Sequence, residues 1–548
     1  MTTFEGPRIE DTPGVGALTL GGFVLEVAER FGPGEAVVLD DPLRGGETVR
    51  WSYERLRAES RRVGRALLAA GVRPGDAIGI VMGNRPEALA SVFGAALVGA
   101  VAAPMSTFSP RPELAHLIAT CEARVVLAQS ELLGRRFGDD VAAIAAERPH
   151  LERVAVLGEP SWDELLAGAD HVSDADLDRA AALVTPDDPA LVIFSSGTTS
   201  LPKGILHGHR APSLQNWVQA QLFARHPGTR LFSALPLFWT AGFNTAVGAT
   251  LAAGGCWVAQ EAFEPAAALL LLERERVTES YTLPHQTGAI AELPGWDTAD
   301  LSSMRCVYGK GAYARHPSVE GDPGWIMPVG WGMSETCAFV CAHPSSTPRE
   351  RAKVGHGALV PGARLRVVDW ATGEALGPGQ EGELCVAGAQ RMLGYLGRTP
   401  EECFDADGFF HTGDAGHVAE DGNVHYAGRR TEMIKTGGAN VSPAEVEVAL
   451  RACPGVKLSR VVGVPDPRLD ELVIACIVRR EGEDTSEQEV KDFLRERLAA
   501  YKVPKRVLFF EDDEMPMTSS EAKVRDDALL ELVRARLEQA GEETRGRT

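Results

Sequence analysis

Short apolar runs alternate with amphipathic stretches through roughly the first three hundred residues. Runs at 36–39, 77–82, 123–128, 153–157, 191–194, 231–236, 256–259, 279–283 and 304–308 have the length and the β-branched content of strands. The stretches between them predict helices over 23–30, 113–120, 210–225, 242–253 and 265–276. A further long helix follows Ser52, which can cap it, with Leu56, Val63 and Leu67 on one face as far as Gly71. Residues 88–103 are apolar, rich in Ala and Gly, and end at Pro104. They predict a buried helix and are too short for a membrane span. Regular alternation of this kind predicts helices packed on a mostly parallel sheet. The polar segment 132–188 is informative only at its strand 153–157.

The texture changes near Gly355. Strands at 364–369 and 382–387 are separated by Gly/Pro turns, and Asp421-Gly422 marks a hairpin. A charged connector, 428–432, follows. Beyond it the pattern is compact α+β: a helix over 443–452, strands over 459–464 and 472–478, a helix over 487–498, a strand over 506–510 and a charged helix from 526. The expected fold is α/β. It has a large N-terminal domain (1–427) of mixed and parallel sheets with packed helices plus a β-rich subdomain. A hinge (428–432) leads to a small α+β C-terminal domain (433–548).

The net charge of −21 argues against non-specific nucleic-acid binding and against an anionic membrane surface as partner. A polyanion must therefore be held at a local site. The first residues are polar, without the apolar core of a signal peptide. Nine cysteines are scattered without zinc-site spacing, as expected of free thiols in a reducing cytoplasm.

One polar stretch carries candidate chemistry. After the strand 191–194 come Ser195, Ser196, Gly197, Thr198, Thr199, Ser200, Leu201, Pro202, Lys203 and Gly204. Hydroxyls and backbone N–H groups can surround phosphate oxygens, glycines let the backbone approach, and Lys203 offsets charge. The common P-loop spacing is absent. A polar surface loop would have the same composition, so this stretch alone leaves both readings open.

Four more stretches follow in order. They are Gly330-Trp331-Gly332-Met333-Ser334-Glu335-Thr336, His411-Thr412-Gly413-Asp414, Gly428-Arg429 through Lys435-Thr436-Gly437-Gly438-Ala439-Asn440 to Glu447, and the region of Lys523. Together with the first they resemble the adenylate-forming superfamily of acyl-CoA synthetases, peptide-synthetase adenylation domains and luciferases, over about residues 20–530. The resemblance implies ATP, magnesium, an adenylate intermediate and a C-terminal domain that rotates between two half-reactions. It implies that Ser195–Gly204 holds the β- and γ-phosphates and that Trp331, where tyrosine is usual, offers a face to adenine. Gly332, Met333 and Ser334 belong to that nucleotide-binding segment, as do Gly311 and Ala312 to another. Glu335 matches the magnesium ligand, with Thr199 beside the same ion. Asp414 is expected to bind the ribose hydroxyls, and Arg429 ribose and phosphate. Glu432 falls at the hinge position. Lys435, Gly437 and Gly438 match the element brought in for thioester formation, where glycines admit the pantetheine arm of coenzyme A.

Lys523 is the expected adenylation lysine, set between the attacking carboxylate and the α-phosphate. Its surroundings depart from the family pattern: in Pro516-Met517-Thr518-Ser519-Ser520-Glu521-Ala522-Lys523 the lysine fits only with one inserted residue. Two other departures bear on the acid. Trp239, in the LPLFWTAGFN stretch that also contains Phe243, replaces a common histidine and shortens the pocket. Lys310, after Gly309, replaces a pocket glycine, and Tyr313 replaces a proline. Lys310 can face an anionic substituent or solvent. Small, polar or aryl acids are favoured over long fatty chains. The leading expectation is an AMP-forming acid:CoA ligase. The alternatives are transfer to a carrier-protein phosphopantetheine, activation of nitrite for diazotisation of an aromatic amine, and an ATP-binding protein of little catalytic power.

Overall fold

The computed structural model describes all residues except 1, 196–201, 307–310, 322–324, 430–433, 437–438, 442, 467–468, 499–501, 518–523 and 546–548. It has a large N-terminal domain of mixed α/β structure and a smaller C-terminal one. The main sheet has seven strands in the spatial order Gly394–Tyr395, Lys203–Gly208, Pro189–Ser195, Val101–Pro104, Ala77–Val81, Val125–Gln129 and Arg153–Leu157. The last five run parallel; the first two are antiparallel additions at one edge. A second sheet orders Glu279–Ser280, Arg230–Ser233, Cys256–Ala259, Glu35–Asp41 and Glu47–Ser52, parallel except at Glu47–Ser52.

Helices pack as the apolar spacing predicts. Tyr53–Ala69 is capped by the Ser52 side chain, and its Leu56, Val63 and Leu67 are buried. Every residue of Pro86–Leu97 is buried. The two helices approach closely at Gly94, where a Cβ would lie 2.7 Å from Val63 Cγ1. The apolar stretch 88–103 is thus only in part a helix. The helix stops at Leu97, Gly99 turns the chain at φ 72°, and Val101–Pro104 becomes a central strand. Burial on all sides removed the periodicity that would have separated the two elements.

Other differences are local. Pro284 starts a helix, Pro284–Ala291, which cuts the expected strand 279–283 down to Glu279–Ser280. Of the expected strand 304–308, Cys306 bridges Glu279, and its last two residues lie outside the described ones. The predicted helix 242–253 begins as π-helix, Ala241–Gly248, a rare winding frequent at functional sites.

Where strand ends of both sheets meet, buried Arg85 binds three carboxylates: Asp41 Oδ2 at 3.0 Å, Glu87 Oε2 at 3.0 Å and Glu261 Oε1 at 2.8 Å. The β-rich part is a five-stranded antiparallel sheet ordered Phe4–Glu5, Ala363–Val368, Gly382–Gly388, Phe410–Val418 and Val424–Arg429. The C-terminal sheet begins at Ile434–Thr436, and its long hairpin, Val456–Asp466 with Asp470–Arg479, carries Arg506–Phe510 in parallel. Among the described residues no helix is long and apolar enough to cross a membrane.

Candidate active site

Two antiparallel strands flank the polar stretch after 191–194. Pro189–Ser195 pairs with Lys203–Gly208, and Ser195 stands opposite Lys203. Ser196, Gly197, Thr198 and Thr199 lie outside the described residues. Lys203 is exposed, with Nζ 5.9 Å from the centre of the Tyr395 ring. Tyr395 lies on the neighbouring edge strand, opposite Ile205. Its hydroxyl donates to Glu335 Oε1 at 2.8 Å. Burial, then the Glu335 carboxylate, pushes the Tyr395 phenol well above its ordinary range, so it remains a donor.

Glu335 sits in a one-turn 3₁₀ segment, Ser334–Thr336, between the strands Val329–Met333 and Ala338–His343. The turn is tight. Cys337 and Ala338 both have positive φ (55° and 122°), uncommon for residues with a Cβ. A Cβ on Gly332 would fall 1.8 Å from the Ala338 carbonyl oxygen, so only glycine fits there. Such backbone persists only when its surroundings over-determine it, and here they do. His207 Nε2 donates to the Ser334 carbonyl at 2.9 Å, and the Met392 amide donates to the Glu335 carbonyl at 2.8 Å. Gln215 Nε2 donates to the Phe339 carbonyl at 2.6 Å. The Cys337 thiol donates to Asn244 Oδ1 at 3.2 Å, and Asn244 Nδ2 donates to Asn216 Oδ1 at 2.8 Å. Burial holds His207 neutral, with its pKa down at about 4.

Asp414 faces Arg429 across the hairpin Phe410–Val418/Val424–Arg429. Its buried carboxylate accepts from two sides. Trp331 Nε1 donates to Oδ2 at 2.8 Å, and Arg429 Nε donates to Oδ1 at 3.1 Å. Burial raises the Asp414 pKa; the bonds from Trp331 and Arg429 oppose that rise, and the nearby charge of Glu335 adds to it. Trp331 itself is 5 % exposed and near-parallel to Tyr426, with ring centroids 6.3 Å apart. One face of its indole is therefore occupied from within the protein.

Lys203, Tyr395, Glu335, Trp331, Asp414 and Arg429 come from segments far apart in sequence and are linked by these contacts. Residues 25–396 match the model of the AMP-binding enzyme family, and residues 445–522 that of the AMP-binding enzyme C-terminal domain. The chain belongs to the AMP-binding enzyme family. Its relatives include a feruloyl-CoA synthase of an Amycolatopsis species, 36 % identical over 86 % of this chain and 91 % of that protein. The 4-coumarate–CoA ligase 1 of Oryza sativa subsp. japonica is 32 % identical over 88 % of this chain and 87 % of that one. Among solved structures, ATP-bound MatB from Rhodopseudomonas palustris is 28 % identical and superposes with a TM-score of 0.76, covering 93 % of this chain and 98 % of that one.

Within this AMP-binding architecture the remaining expected residues fall as follows. Trp239 is half-buried beside Phe238 and Phe108, with ring centroids 6.0 and 6.4 Å away; Phe108, 45 % exposed, rests edge-on against Phe238 at 5.4 Å. Phe243 was expected to line the acid pocket; it lies fully buried against Phe93 in the core. Gly311 and Ala312 lead into the turn Tyr313–Arg315, and Tyr313 is buried against Trp296. Lys435 lies on Ile434–Thr436, paired with Ala439–Val441. Gly309, Lys310, Glu432, Gly437, Gly438 and Lys523 lie outside the described residues.

Sequence reasoning missed Tyr395, His207, Gln215 and Asn244. Gln215, Asn216 and Gln219 lie on the helix Arg210–Leu222 and are buried. A run of buried amides on a helix reads in sequence as a wet face. Only its length and its neighbouring tryptophan hint otherwise.

Proposed function

We propose that the chain is an ATP-dependent acid:CoA ligase that forms an acyl-adenylate, then an acyl thioester, releasing pyrophosphate and AMP. The observation that carries this reading is the convergence of Lys203, Glu335, Asp414 and Arg429 on one site within an AMP-binding fold. In the first step a carboxylate oxygen attacks the α-phosphorus of ATP and pyrophosphate leaves. In the second the sulfur of coenzyme A attacks the acyl carbonyl and AMP leaves.

Roles follow from chemistry. Asp414, held between two donors, accepts from the ribose hydroxyls, and Arg429 lies beside it for phosphate. Glu335, held by Tyr395, offers a hard oxygen to magnesium, which keeps most of its waters and neutralises phosphate charge when bound. Thr199 and the hydroxyls of Ser195, Ser196 and Thr198, with Gly197 and Lys203, enclose the leaving pyrophosphate. Lys523 stabilises charge at the first transition state, and Lys435 with Gly437 and Gly438 serves the second. Residues 1–427 form the adenylation core, 428–432 the hinge and 433–548 the mobile domain. The aromatic group of buried Phe238, half-buried Trp239 and exposed Phe108 favours a flat aryl acid. All nine cysteines are free, which fits a cytoplasmic enzyme.

The test is pyrophosphate release over a panel of aromatic and aliphatic acids, with and without coenzyme A. Acid-dependent release with AMP and a thioester as products is expected. No release with any acid would overturn the reading, and release that never yields a thioester would transfer it to another acceptor.

A further inference from the structure

The β-rich sheet carries a second set of ligand atoms. Glu383 and Cys385, two residues apart on Gly382–Gly388, share one face, and His411 stands directly opposite Cys385 on Phe410–Val418. Cys385 Sγ is 3.4 Å from His411 Nδ1, and the same nitrogen is 2.8 Å from Glu383 Oε2. One ligand atom from each residue lies within 4.8 Å of the others, the only such group among the described residues. Asp405 Oδ2 lies 3.7 Å from His411 Nε2. Arg366, the nearby cation, is matched by Asp405 at 3.8 Å and Asp407 at 2.9 Å.

We propose that Glu383, Cys385 and His411 form a binding site for a thiophilic divalent cation of the zinc type, with a fourth position open to water. Sulfur, imidazole nitrogen and carboxylate oxygen are the three zinc donors, and metal–ligand lengths of about 2.0–2.3 Å set tetrahedral donors roughly 3–4 Å apart. The spacing here needs only side-chain adjustment. Cys385 is buried, but the His411 side chain is 46 % exposed and gives the cation a path from solvent. Binding displaces the Cys385 thiol proton to water and takes His411 as the neutral ring with its remaining proton on Nε2, beside Asp405. Burial, aided by the charges of Glu383 and Asp405, holds the free thiol protonated; a bound cation reverses that balance. Magnesium, which prefers oxygen donors, is rejected, so this site is distinct from Glu335. Glu383 Oε1 meanwhile keeps the Gly413 amide at 2.9 Å, so the cation would brace the residue next to Asp414.

The test uses the full-length protein and cobalt(II) alone. The wild type should bind one equivalent with a thiolate-to-cobalt charge-transfer absorption that zinc then bleaches. C385S should lose that absorption, and H411Q should weaken cobalt binding by about tenfold or more. Zinc should raise the melting temperature of the wild type and leave that of H411Q unchanged. No absorption in the wild type, or one that survives in C385S, overturns the proposal. His411 lies at the surface, so H411Q decides the matter if C385S does not fold.

Discussion

Trp331 holds Asp414. The indole N–H donates to Oδ2 at 2.8 Å, and this bond and the one from Arg429 Nε at 3.1 Å satisfy both oxygens of a buried carboxylate. Removing the donor leaves one oxygen desolvated and unpaired, a cost of about 1–3 kcal/mol. W331F keeps most of the ring and loses the N–H. The expected result is an increase in KM for ATP of roughly 5- to 100-fold, with KM for the acid little changed. Steady-state pyrophosphate release at varied ATP measures it. Equal KM for ATP in both proteins would show that the indole matters only as packing.

Tyr395 ties the strand beside Lys203–Gly208 to Glu335. Its hydroxyl gives a 2.8 Å bond to the carboxylate, and bonds to charged groups contribute about 1.5–3 kcal/mol. Y395F preserves the ring beneath Lys203 and frees Glu335 to rotate. The magnesium concentration for half-maximal activity should rise on the order of tenfold. A magnesium titration at saturating ATP reads this directly, and an unmoved midpoint would remove Tyr395 from the site's support.

Lys523 is placed by sequence alone. K523A should abolish adenylate formation and spare capture of a pre-made acyl-adenylate by coenzyme A, because only the first step develops charge between two anions. K435A should show the converse. Equal loss in both half-reactions of K523A would mean that the inserted-residue alignment is wrong.

How much of this was legible in the sequence follows from range. Strand 191–194, the Ser52-capped helix and the Asp421-Gly422 hairpin declare themselves within a few residues. Asp414 and Glu335 stand out because motifs concentrate unusual residue types. The partner of each could not be read: Trp331 and Asp414 are 83 positions apart, Tyr395 and Glu335 60. Lys203–Gly208 escaped notice because Gly204, Gly208 and the buried His207 break the apolar run that marks a strand. The strand Val101–Pro104 was hidden by the opposite problem, apolarity so complete that helix and strand merged. Phe243, expected at the acid pocket, packs against Phe93 in the core, a placement that an aromatic residue in a pocket motif does not announce.

Arg85 offers a stability test away from the chemistry. It is fully buried and neutralises part of the charge of Asp41, Glu87 and Glu261, whose own carboxyl is pushed up by burial. R85A leaves three carboxylates without their common partner, and breaking a buried pair costs about 3–5 kcal/mol. Urea unfolding should show the midpoint falling accordingly, and R85A/E261Q should recover part of the loss. A change within experimental error would mean that water or Arg44, 3.2 Å from Asp41, replaces the guanidinium.

His207 makes the fold sensitive to mild acid. Buried in the strand Lys203–Gly208, it donates through Nε2 to the Ser334 carbonyl and has its pKa lowered from 6.5 to about 4. His209 is lowered to about 4 by burial as well. Between these values the unfolded chain binds protons that the folded chain refuses, so stability falls as pH drops from about 6.5 towards 4. For one such histidine the loss from pH 7.5 to 5 is about 2 kcal/mol. H207Q retains an N–H donor for Ser334 and cannot titrate. Its stability relative to wild type should therefore improve by about 2 kcal/mol over that interval, whatever its offset at pH 7.5. Urea unfolding of both proteins at half-unit steps of pH measures the difference. Parallel curves would mean that His207 takes up its proton without unfolding. The support of Ser334, next to Glu335, would then itself be pH-dependent.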